Sequence, residues 1–209
     1  MKSLTILSLA VVISLAAAPL LRAQGNDPAT NAARQGSEAA KNGDWDKAVD
    51  SFCKAAGMNG KFDRDLGAAL QHRGLTYLKN NNFPEAIADF TAALKLNPRD
   101  TGILERRAYV EMKMNDFDKA LADYTEAIKI NPKEVRYYNL RSYIYETKKD
   151  LKNAMTDTDR VLKMDPNNAE AKDRKDRLTR IQNAPAGLPG ATPIAPPPQT
   201  PKPSPSPKK

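Results

Sequence analysis

The chain has one cysteine and one histidine among its 209 residues, and that scarcity removes whole classes of chemistry. A single thiol, Cys53, excludes an intramolecular disulfide, so stability has to come from packing. Beside Phe52 on a helical stretch, Cys53 reads as a small apolar residue. One histidine, His72, cannot be combined with one cysteine into a Cys–His or Ser–His–Asp set by any spacing logic, and no zinc-ligand pattern surrounds it. Neither GxxxxGK[S/T] nor GxGxxG occurs, so no phosphate-cradling loop is expected. Carboxylates are plentiful, but on helices they form solvated faces. The sequence points away from an enzyme and implies no cofactor and no metal.

Long hydrophobic runs are absent with one exception. Leu4–Ala18 carries no charge, follows Lys2, and ends at Arg22 and Ala23 before a polar segment. This is the layout of an export signal over residues 1–23, with cleavage expected after Ala23. The alternative is an uncleaved anchor, because the apolar run to Leu21 spans 18 residues, barely enough to cross a bilayer. Cleavage leaves an exported protein, periplasmic or secreted, with no membrane contact. It also takes Lys2 and Arg22 from a net charge of +8, and Lys202, Lys208 and Lys209 lie in the C-terminal segment. The remainder is mildly basic, which does not favour nucleic acid.

What is present is a repeat. Asn82–Pro98 (NFPEAIADFTAALKLNP) returns as Asp116–Pro132 and again as Asp150–Pro166, each time after 34 residues. A fixed period of this length marks a repeat architecture. Four copies fit the frame: Ala29–Phe62, Gly67–Asp100, Thr101–Glu134 and Val135–Asn168. Small residues, Gly36, Gly74, Ala108 and Ser142, stand at position 8, and large ones, Phe52, Phe90 and Tyr124, at position 24 of copies one to three. Small residues let two helices approach and large ones fill the gaps between ridges. Asp44, Asn82, Asp116 and Asp150 stand ahead of each second helix as N-caps. Pro98, Pro132 and Pro166 end it.

With Leu70, Gly74, Tyr77, Ala86, Phe90, Ala93 and Pro98 in copy two, and matching sets in copies three and four, the chain resembles the tetratricopeptide repeat family. The resemblance implies an all-α, right-handed α-solenoid of four helical hairpins over residues 29–183. It implies protein–protein interaction without catalysis, the first helix of each hairpin lining a concave groove. Carried onto this chain, the groove residues are Gln71 and Leu75; Glu105, Tyr109 and Met112; and Arg136, Asn139, Tyr143 and Glu146. That mixture suits an extended peptide or a partner helix. Tyr109 and Tyr143 could instead pack between helices. The family's carboxylate clamp is not matched, since Ala33 and Ser37 occupy clamp positions in copy one.

Departures from the pattern carry expectations of their own. Copy one lacks the proline and gains a loop, so the step from Ala48 to Ala86 is 38 residues. Thr158 replaces the aromatic of copy four, which predicts looser packing there. Ala169–Gln182 has helical spacing, with Ala171, Arg174, Leu178 and Ile181 on one side and seven other charges interspersed, as expected of a helix (169–183) that caps the last hairpin. Between Pro185 and Lys209, ten of 25 residues are proline, a composition that forms no core and favours polyproline II; residues 184–209 are expected to be a disordered tail. An alternative function follows: a structural spacer in an envelope complex whose basic, proline-rich tail makes the contacts. Finally, Arg73, Arg107 and Arg141 recur at position 7 and Asp89, Asp123 and Asp157 at position 23, while copy one has Gln35 and Ser51. Each arginine is expected to grip an aspartate across a helix contact.

Overall fold

The computed structural model describes residues 27–184, and all of its regular structure is helical. Residues 1–26 and 185–209 lie outside the described residues, and with them the expected export signal and proline-rich tail. The helices are α1 (Pro28–Lys41), α2 (Trp45–Met58), α3 (Asp63–Lys79), α4 (Phe83–Leu96), α5 (Thr101–Lys113), α6 (Phe117–Ile130), α7 (Val135–Thr147), α8 (Leu151–Met164) and α9 (Ala169–Asn183). Each packs on the next, the tightest pairs being α1–α2, α3–α4, α5–α6 and α7–α8. The helices of a pair are antiparallel, so the odd-numbered helices share one direction along the solenoid. The loop added in copy one becomes a 3-10 turn, Gly60–Phe62, leading directly into α3.

Local chemistry sets the helix ends. The carboxylates of Asp44 and Asp150 accept hydrogen bonds from the backbone N–H groups of Lys47 and Asn153. Asn82 and Asp116, also expected to cap, make no such side-chain bond; the Asp116 carboxylate accepts from Lys119 Nζ instead. Between the helices of every hairpin, position 15 of the frame has a positive φ: Gly43 at 74°, Asn81 and Asn115 at 61°, Lys149 at 62°. Glycine and asparagine take this left-handed conformation at low cost, and lysine does not.

Positions 8 and 24 meet as matched sizes. A Cβ on Gly74 would stand 2.8 Å from the ring of Phe90, which is fully buried. In copy four both partners are small and polar: the Ser142 and Thr158 hydroxyls lie 2.8 Å apart, fully buried, and each donates to the Ala154 carbonyl at 2.8 Å. The looser packing expected at Thr158 is thereby corrected. Ser142 and Thr158 shrink together, and the hydrogen bonds satisfy the buried hydroxyls.

The repeated arginines and aspartates pair within each hairpin. Nε and one terminal nitrogen of Arg73, Arg107 and Arg141 donate to both carboxylate oxygens of Asp89, Asp123 and Asp157 at 2.7–2.9 Å. The aspartate side chains are only 5–8 % exposed, so each fork joins the first helix to the second in a largely dry setting. The remaining nitrogen reaches backward. It donates to Thr91 from Arg107 and to Thr125 from Arg141, both at 3.1 Å, tying each hairpin to the one before. The corresponding position 25 in copy one is Cys53, which is exposed; Arg73 turns to Asp46 at 3.3 Å.

Candidate functional site

The nine groove residues divide by burial. Glu105, Tyr109, Met112, Asn139 and Glu146 are buried, whereas Gln71, Leu75, Arg136 and Tyr143 keep part of their surface. Asn139 and Glu146 are withdrawn from the open face by α9. Arg174, itself buried, donates to Asn139 Oδ1 at 3.1 Å and to Glu146 Oε2 at 3.3 Å, and Arg177 donates to both Glu146 oxygens at 3.1 Å. The capping helix thus occupies the place of a next first helix and uses the groove positions of copy four as its seat. Tyr109 is held in the wall with Lys113 over its ring, and Tyr143 packs against the core from a half-exposed position.

Glu105 is likewise engaged between hairpins. One carboxylate oxygen accepts from Arg136 at 2.6 Å, and the other is buried without a protein partner. Burial raises its pKa, and Arg136 partly offsets that. The Tyr124 hydroxyl is also buried and unpartnered, with its pKa pushed well up by burial. Glu111 is 3 % exposed, and burial pushes its carboxyl up to about 7 despite the nearby Arg107.

The open part of the inner surface lies at the other end. A cleft of about 380 Å³ opens between α1, α2 and α3, its wall formed by Ser37, Ala40 and Phe52 and faced by Ala68 and Ala69. The rings of Trp45 and His72 stack beside it at 4.4 Å, within 8° of parallel. Lys41 and Asp65 supply one charge of each sign. The cleft follows from side-chain size. Positions 9 and 12 are Ser37 and Ala40 in copy one, but Leu75 and Leu78, Tyr109 and Met112, and Tyr143 and Glu146 in the later copies. A second cavity, of about 690 Å³, lies between α3 and the α4–α5 corner and carries Arg64, Gln71, Asn97 and Asp100 on its wall. Of the groove residues named from sequence, Gln71 is the one that lines these cavities. Ser37, Ala40, Trp45 and His72 were not among them. Comparing residue size at positions 9 and 12 across copies was the signal that could have found them.

Tetratricopeptide repeat models match residues 67–100, 103–134 and 135–168, which span α3 to α8 and the approach to α9. The chain carries a tetratricopeptide repeat domain. No curated protein matches the chain. Among solved structures, it is similar to the Arabidopsis OM64 tetratricopeptide repeat domain, at 26 % identity and a TM-score of 0.53, covering 57 % of this chain and 98 % of that one. It is also similar to the first repeat domain of Spaghetti (RPAP3), a structure bound to the HSP90 peptide SRMEEVD. The identity is 24 % and the TM-score 0.53, with 56 % of this chain and 94 % of that one covered. A tetratricopeptide repeat protein from Parabacteroides merdae gives a TM-score of 0.58 at 21 % identity over 74 % of this chain and 60 % of that one. The last two likenesses speak to the fold. Hairpin α1–α2 lies ahead of the matched residues, and the tetratricopeptide repeat array carries its open cleft there.

Proposed function

We propose that this tetratricopeptide repeat protein is an exported, non-catalytic interaction module that holds an extended peptide on the inner surface, with the cleft of α1, α2 and α3 as the anchoring pocket. The observation that carries the reading is the apolar cleft beside the Trp45–His72 stack, which copy one keeps open with Ser37 and Ala40. A part-buried tryptophan stacked on an exposed histidine beside an apolar wall can bury a ligand side chain and donate to its backbone. Gln71, Leu75, Arg136 and Tyr143 continue the surface toward the later hairpins. Peptide binding by a protein of this fold, the Spaghetti (RPAP3) domain with its HSP90 peptide, supports the class of ligand and not its identity. Export rests on the pattern of residues 1–23 alone.

A displayed library of random linear peptides panned over the immobilised protein tests the reading. Enrichment of a shared motif is expected, and Ser37→Leu/Ala40→Leu, which installs the residues of copy two, should abolish it while circular dichroism stays unchanged. Failure to enrich any motif, or enrichment indifferent to the filled cleft, would refute the cleft as a peptide site.

A further inference from the structure

We propose that Glu111 is a proton-operated latch between the second and third hairpins: protonated, it leaves Arg107 on Asp123 and Thr91, and ionised, it draws the guanidinium away and loosens α5 from α4. The frame shows how unusual the position is. Position 11 is Tyr77 in copy two and Tyr145 in copy four, and an acid only in copy three. The Tyr77 hydroxyl reaches back to Asp46, at position 18 of the preceding hairpin, at 3.5 Å. Position 18 of the hairpin preceding Glu111 is Pro84, which has neither an N–H nor a polar side chain to offer. Glu111 is 3 % exposed, and its Oε2 is buried without a hydrogen-bond partner. A carboxyl so placed keeps its proton, because ionisation would leave a charge that neither water nor a donor solvates.

The charges around it decide what ionisation does. Arg107 lies one helical turn earlier on the same face of α5, at the i, i+4 spacing that brings side chains together. All three of its nitrogens are engaged, two with Asp123 and one with Thr91. Lys119 on α6 also acts on Glu111, but it is exposed and bonded to Asp116. Asp123 and Asp116 add repulsion. Asp118, at the start of α6, is bonded to Lys148. From α4, Asp89 is held by Arg73 and Glu85 is exposed, as is Lys79 at the end of α3. Two buried carboxyls, Asp123 and Glu111, therefore share one guanidinium. While Glu111 is neutral, Asp123 holds it alone. Once Glu111 is charged, it competes, and the bond to the neutral Thr91 hydroxyl is weaker than the charge-assisted bonds to Asp123. That bond is the one that ties the third hairpin to the second. Both α3 and α5 carry inner-surface residues, so the latch bears on the surface a ligand meets whether or not the cleft of α1, α2 and α3 is the peptide site.

NMR of the full chain across neutral pH tests this, following glutamate side-chain carboxyls and arginine Nε signals. The Glu111 carboxyl is expected to titrate near pH 7, and Arg107 Nε should shift with the same midpoint. Arg73 and Arg141, which have tyrosine four residues on, should stay flat. Amide exchange in α4 and α5, corrected for its intrinsic pH dependence, should accelerate about tenfold between about pH 6 and 8, as linkage gives for a carboxyl that regains its ordinary pKa on opening. Helices α1 and α9, which open from the ends of the array, should not follow. Glu111→Gln should hold Arg107 and the α4–α5 exchange in their acid pattern at every pH. An Arg107 signal that stays still while Glu111 titrates overturns the proposal. So does a Glu111 midpoint in the ordinary glutamate range, or an acceleration that is uniform from α1 to α9, which would make Glu111 a source of global destabilisation and not a latch.

Discussion

The first interface between hairpins and the later ones are built on the same 34-residue frame yet do different work. At the later interfaces Arg107 and Arg141 clamp an aspartate in their own hairpin and a threonine in the preceding one. Large side chains occupy positions 9 and 12, and Arg136 closes on Glu105. At the first interface the clamp loosens. Arg73 reaches an exposed Asp46, position 25 is Cys53, and positions 9 and 12 are small. A repeat array thus makes a pocket by omission. The frame holds the helices at their spacing through the small and large residues at 8 and 24, and removing bulk from two other positions leaves space without cutting the core.

The largest expected effect separates these regions by charge. Arg107→Met leaves Asp123 almost dry and without its partner, which should cost about 3–5 kcal/mol of unfolding free energy in urea titration. Gln35→Met, at the same frame position in copy one, removes no clamp and should stay within about 0.5 kcal/mol. Arg107→Met/Asp123→Leu should recover most of the loss, because the stranded charge is gone. A single variant as mild as Gln35→Met would mean that the fork is not what binds α5 to α6.

Next comes Glu111, at position 11 where copies two and four have Tyr77 and Tyr145. Burial raises its pKa to about 7 in the folded protein, with Asp123 and Asp116 adding to the shift and Arg107 and Lys119 opposing it. The folded state then holds a proton that the unfolded chain releases near the ordinary glutamate value. The sign follows: stability falls as pH rises from about 4.5 toward 7 and levels off above, with a slope of at most about 1.4 kcal/mol per pH unit from this one group. Glu111→Gln should flatten the decline between pH 5 and 8 and leave the variant about 1–2 kcal/mol more stable than the parent at pH 8. Parallel urea titrations at both pH values measure it. A parent stability that rises over that interval, or an unchanged slope in Glu111→Gln, would contradict the assignment.

Much of this was legible in the sequence because it occurs three times. The period and the Arg–Asp pairs appear in copies two, three and four, and the small-with-large pairing of positions 8 and 24 in copies one to three, so each copy checks the others. Features that occur once were harder to read. Arg174 and Arg177 look like solvated charges on a polar helix, and only the placement of α9 turns them onto Asn139 and Glu146. Glu111 looks like any surface acid until α5 is wrapped on both sides. The cleft is visible only as small residues where other copies are large, and family-wide groove positions pass over that signal. The left-handed residue at position 15 was hidden for a different reason: Lys149 adopts it without the glycine or asparagine that would announce it.

The smallest effect tests whether the fork needs its backward contact. Copy one has Gln35 exposed and Ser51 buried at the fork positions. Installing Gln35→Arg and Ser51→Asp recreates the pair in α1 and α2. No helix precedes α1 among the described residues, so the third arginine nitrogen has no threonine to meet. Ser51→Asp alone places a carboxylate in a buried position and should destabilise by about 1–3 kcal/mol. Gln35→Arg alone, on the exposed side, should be nearly neutral. The double variant should regain most of the loss and finish within about 1 kcal/mol of the parent, since a partly solvated pair contributes little net stability. The coupling energy from this cycle then measures the fork within one hairpin. The same cycle on Arg107 and Asp123 measures it with Thr91 in place. If the two energies agree, the bond to the threonine of the preceding hairpin adds nothing to the fork. If the grafted pair couples more weakly, the backward bond to Thr91 is part of what orders the arginine, and its absence at Cys53 helps explain why the first interface is the one that opens.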